Sequence, residues 1–187
     1  MTMSSELRVD KIVPVDGVPT DGGGGIVQMR QAFKTDTQSH NNATRVDISG
    51  LSITITPKFS TSKLWITGMV AIGHAPDTCC NIFINANGSL IGGSNTANGG
   101  AQSSQPQDVH TGIGYHYVAD YEKYRIIPAH VNFLYSPGST SAQTIKLQMS
   151  QTDTSNQYMY VNRSQSDNNA TWVNRQTSSL TVFEVSA

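Results

Sequence analysis

The chain has 187 residues, a formal net charge of −1 and only 13% charged residues. That length fits one domain plus a tail and is enough to bury a core. The near-zero charge leaves no basic stripe to track phosphates, which excludes nucleic acid as the expected partner, and it leaves little self-repulsion between copies.

No apolar run approaches the length of a bilayer span, so membrane insertion is not expected. The opening Met1-Thr2-Met3-Ser4-Ser5-Glu6 has neither a basic nor an apolar signal region, so synthesis in a cytosol is the expectation.

Residues 1–25 read as an extended arm. Leu7, Val9, Ile12, Val13 and Val15 supply apolar contacts, while Pro14 and Pro19 forbid a helix through them. The arm is too short to fold alone and needs a partner surface. Gly22, Gly23, Gly24 and Gly25 form a hinge, because residues without side chains leave the backbone free to rotate.

Residues 26–187 carry β signals throughout. Residues 26–33 make a moderate strand, and 35–44 a polar connection. The stretches 45–48 and 51–55 alternate with period two around Gly50, which sends Leu51, Ile53 and Ile55 to a core. Residues 63–72 form the strongest strand. Leu64, Ile66, Val70 and Ile72 share one face; Trp65 and Met69 share the other, which is expected to be covered by a second sheet or a neighbouring subunit.

Residues 80–85 and 90–91 flank an Asn87-Gly88 hairpin turn. Residues 92–108 are a long polar loop. Strands follow at 113–118, 131–135, 144–149, 157–162 and 180–185, with 163–179 a polar connection. About ten short strands and no convincing amphipathic helix predict an all-β antiparallel sandwich of jelly-roll type.

Catalytic and metal-binding sets are not evident. The five histidines, His40, His74, His110, His116 and His130, do not fall at zinc-site spacings. No nucleophile elbow or phosphate loop occurs, and the glycine hinge is followed by no Gly-Lys-Ser/Thr. The expectation is a non-enzyme without cofactor or metal. Cys79 and Cys80 are adjacent, a geometry that disfavours a disulfide and predicts reduced thiols. Tyr158 and Tyr160 share a strand face near Asn162, and with Trp172 they make a candidate ligand or interface surface.

The arm Leu7-Arg8-Val9-Asp10-Lys11-Ile12-Val13-Pro14-Val15-Asp16-Gly17-Val18-Pro19, the run Gly22-Gly23-Gly24-Gly25-Ile26-Val27-Gln28, Ile53-Thr54-Ile55-Thr56-Pro57 with Ser62-Lys63-Leu64, and the endings Tyr160-Val161-Asn162-Arg163-Ser164 and Ser178-Ser179-Leu180-Thr181-Val182-Phe183-Glu184-Val185 resemble short tail-fibre-like virion proteins of marine tailed bacteriophages, cyanophages especially. The resemblance implies a β-sandwich head, commonly a homotrimer, whose N-terminal segment attaches to other virion proteins. It implies no cofactor and no reaction. Host-surface glycan or protein is the expected outer contact. Two alternatives stand beside a tail location: a capsid decoration or cement protein, and a glycan-binding module.

Overall fold

A computed structural model describes residues 25–75, 78–94, 108–113, 122–152 and 157–186. Alternation decides what lies inside. In β4 (Lys63–His74), Leu64, Ile66, Val70 and Ile72 are fully buried, and in β9 (Gln143–Gln151) so are Ile145, Leu147 and Met149. These two strands lie in opposite sheets, and their apolar faces meet in one core.

The first sheet has four tracks of chain. β1 (Ile26–Lys34) pairs with β11 (Ser178–Val185), β11 with β4, and β4 with β8 (Ile127–Tyr135). Two short strands extend the first two tracks: β2 (Gln38–His40) continues β1, and β10 (Met159–Val161) lies beside the end of β4 that β11 does not reach. The second sheet also has four tracks. β3 (Val46–Ile55) pairs with β9, β9 with β5 (Cys80–Ala86), and the far edge of β5 takes β6 (Ser89–Ile91) and β7 (Thr111–Ile113) on successive segments.

All of these pairings are antiparallel, and the chain switches sheets between most consecutive tracks. Eight tracks in two four-stranded sheets, with the first and last side by side, are the jelly-roll topology. The expected antiparallel sandwich is therefore the fold.

Local chemistry places the corners. Gly50 takes φ +82° inside β3, at a shift of pairing register between Asp47 and Ser52. The bulge lets both Ile48 and Leu51 face the core, although their spacing breaks the period of two. Asn87 and Gly88, both at positive φ, close the β5–β6 hairpin, as their sequence predicts. Pro128 lies in β8, an outer track where a missing N–H is tolerated.

Two readings need adjustment. The polar connection 35–44 contains β2, whose three residues are too few and too polar for a period to show. The expected strand at 113–118 is described only to Ile113, within β7, and residues 114–118 lie outside the described residues.

Candidate assembly surface

The two sheets turn different chemistry outward. On the second sheet, Asp47 on β3 faces Gln148 on β9 and pairs with Lys146, at 2.7 Å to each. Thr54 and Thr144 join across the same strands at 3.1 Å. Charges and hydroxyls of this kind mark a solvated face.

The first sheet is different. Cross-strand partners share a face, so the registers assemble rows across all four tracks. One row reads Met29, Phe183, Trp65, Leu134 from β1 to β8; the next reads Gln31, Thr181, Thr67, Asn132; a third reads Phe33, Ser179, Met69, His130. None of these twelve positions holds Asp, Glu, Lys or Arg. The large apolar side chains are open: Met29 is 48% exposed, Phe33 61%, Trp65 39% and Leu134 50%.

Two pairs of polar groups are joined within this face. The Trp65 indole N–H donates to Asn132 Oδ1 at 2.7 Å, and Gln31 Nε2 donates to Thr181 Oγ1 at 2.9 Å. Trp65 also packs on Phe183, ring centroids 5.3 Å apart. A groove of 380 Å³ opens beside these groups, lined by Trp65, Asn132, Phe133, Leu134 and Val185.

Histidine chemistry caps part of the adjoining edge. The Asn132 backbone N–H donates to His110 Nε2 at 3.2 Å, and His110 Nδ1 lies 2.7 Å from the Gly92 carbonyl. With Nε2 accepting, Nδ1 is the nitrogen placed to donate to the Gly92 carbonyl. One backbone group of β8 is thereby satisfied by a side chain, as exposed edges require.

The sequence-predicted residues fall out as follows. Trp65 and Met69 do share the second face of β4, but among the described residues no sheet covers it: it is the outer face of the sandwich. Tyr158 and Tyr160 do stack, with centroids 6.0 Å apart, and Arg163 lies 4.0 Å over the Tyr160 ring. Trp172 is 64% exposed.

Asn162 corrects its expectation. It is buried, with φ +67°, and both amide hydrogens go to backbone, on Lys34 O and Asp36 O at 2.8 Å each. Its oxygen accepts from Ser178 Oγ at 2.6 Å. A fully paired interior amide cannot serve a ligand surface.

The arm residues Leu7, Val9, Ile12, Val13 and Val15, and Gly22, Gly23 and Gly24 of the hinge, lie outside the described residues. Gly25, the last hinge residue, leads directly into β1, and its carbonyl accepts from the Ser186 N–H at 3.1 Å. Cys79 and Cys80 are both free thiols. Among the described residues no three His, Cys, Asp or Glu side chains gather where they could hold a metal ion.

Sequence reasoning singled out Trp65 and Met69 but missed Met29, Phe33, Phe183 and Leu134. Each looks like ordinary strand core when its own strand is read alone. Only the register joins them on a single outer face.

No family model matches the chain, and no curated protein does. Among solved structures, that of the infectious bursal disease virus Gx strain is similar at 11% identity and a TM-score of 0.41, over 86% of this chain and 37% of that one. The infectious bursal disease virus VP2 subviral particle is similar at 10% identity and a TM-score of 0.41, over 87% of this chain and 38% of that one. The chain thus spans about two-fifths of the length of the solved structures it matches. At this level the likeness carries no argument, and the topology stands on strand pairing alone.

Proposed function

We propose that this chain is a non-enzymatic structural protein of a bacteriophage virion, a tail-fibre or tail-appendage subunit. In this reading the arm around Val9–Val15 docks on another virion protein, and the jelly-roll heads associate as a homotrimer. The polar loops face the host surface or solvent.

The observation that carries the reading is the contrast between the two outer faces. One is charged and suits water. The other presents large apolar side chains across four strands, with no formal charge in the three rows described, the composition of the centre of a protein interface. Such a molecule is suited to being built into something. The resemblance of the arm and strand motifs to phage virion proteins supports the class of assembly.

The test is a purified virion. Mass spectrometry and gold-labelled antibody are expected to find the protein on the tail, at a few tens of copies or fewer. Hundreds of copies spread over the shell would favour the capsid-decoration alternative, and absence from virions would overturn the proposal.

A further inference from the structure

We propose that the outer face of the first sheet, centred on Trp65, is covered by a second copy of this chain. The inference rests on the assembly reading above and adds the identity of the covering partner.

Three features of the face favour a copy of itself. First, its three rows lack formal charge, with Lys63 of the same β4 face lying beyond them beside Val185, so bringing two sets of rows together sets no like charges against each other. A charged face would oppose its own copy. Second, two of its polar contacts are already made within the chain. The Trp65 indole N–H donates to Asn132 and Gln31 Nε2 donates to Thr181, so the indole N–H needs no partner from outside.

Third, the face holds both a projection and a recess, at opposite sides. Phe33 and Met29 stand out from β1, whereas the groove beside Trp65, Leu134 and Val185 lies toward β8. The two sides are three strand spacings apart, about 14 Å. A contact that seats the β1 side of one copy in the β8 side of the next is head-to-tail. Such contacts form closed rings when the rotation permits.

The extent of the face also points to a folded partner. Its three rows across four tracks project to about 400 Å² at ordinary strand and residue spacings, about half of what one partner contributes to a standard interface. A single extended segment of about 5 Å strand width would leave most of this area open.

The experiment uses the full chain. Sedimentation equilibrium is expected to give a discrete oligomer for the wild type. Trp65→Lys combined with Leu134→Lys should weaken association at least 100-fold, with an unchanged far-ultraviolet spectrum. Ser52→Glu on the outer face of the second sheet should leave association unchanged.

Should the lysine variant fail to fold, a photo-crosslinking residue at position 33 decides the matter. Crosslinks to the Trp65 or Leu134 peptides of another copy support the proposal. Crosslinks to residues 7–15, or a monomeric wild type, overturn it. Virion localisation is read separately, so a protein that resides on tails but does not associate through this face sinks only the present inference. Association through this face by a protein absent from virions sinks only the functional reading.

Discussion

Ser178 donates its hydroxyl to Asn162 Oδ1 at 2.6 Å, and that same hydroxyl oxygen accepts the Ala71 N–H at 3.0 Å. The bond lies at the break between β10 and β11 along β4. From there the Asn162 amide reaches Lys34 and Asp36, at the matching break between β1 and β2. One side chain therefore joins both interruptions. Its φ of +67° is tolerated by Asn better than by most residues.

Asn162→Ala is expected to cost about 3 kcal/mol, because it strands the buried Lys34 carbonyl, the part-buried Asp36 carbonyl and the Ser178 hydroxyl. Urea denaturation measures it. Asn162→Asp should be comparably damaging, since a carboxylate has no hydrogens for the Lys34 and Asp36 carbonyls. A loss below 1 kcal/mol in both would show that the amide is not a structural tie.

Glu184 makes stability depend on pH. Burial pushes its pKa up, but hydrogen bonds from Gln28 Nε2 and the backbone N–H of Lys58, both at 2.6 Å, outweigh this and hold it below the ordinary value. Hydrogen bonds from Lys146 and Gln148 likewise lower Asp47, and one from Arg175 lowers Asp167. A carboxyl group with a depressed folded pKa contributes its full stability above its unfolded pKa, about 4. That contribution is lost as pH falls through the folded value. The contribution of these carboxylates to the thermal midpoint should thus be constant from pH 7 to 5 and fall away below about pH 4. Glu184→Gln should lower stability by roughly 2 kcal/mol at pH 7 and flatten the acid limb. An unchanged acid limb in that variant would remove Glu184 from this account.

Gly68 and Gly73 bring β4 close to other backbone. A Cβ at Gly68 would lie 2.3 Å from the Ser179 carbonyl oxygen, and one at Gly73 would lie 2.1 Å from that of Arg163. Backbone cannot step aside as a flexible side chain can. Each Gly→Ala change should cost about 1–3 kcal/mol, the range of overpacking in a tight core. Gly138, with nothing near its Cβ position but φ +62°, should lose less through crowding and more through its turn. Chemical denaturation of the three variants compares them.

The two thiols should react unequally. Cys79 is half-buried, whereas Cys80 is fully buried, and burial followed by the neighbouring Cys79 pushes the Cys80 pKa up. Reactivity follows thiolate and access. An aromatic disulfide reagent should therefore titrate one thiol in the native protein and the second only after unfolding. Two thiols released at the same rate would contradict the packing of β5.

Deleting residues 1–21 tests the arm. All described strands begin at Ile26 or later, so the sandwich should remain folded and oligomeric. Virions grown with the truncated protein should lack it. Normal incorporation would end the proposal that the arm is the virion anchor.

The sequence alone determined the fold class and much of the core. Leu51, Ile53, Ile55, Ile145, Leu147 and Met149 alternate with polar neighbours, and a period of two is a local property that any reader of the chain can see. It also picked out Trp65 and Met69 as a second apolar face. Only the tertiary structure decided what lies on that face, because register is set between strands far apart in the chain. Phe183 and Glu184 show why. Residue polarity would place the phenylalanine inside and the carboxylate outside, yet pairing with Trp65 turns Phe183 outward, and donors from the start of β1 and the 57–59 turn hold Glu184 in the interior. The same holds for Asn162, whose partners are 16 and 128 residues away and leave no trace in its neighbours.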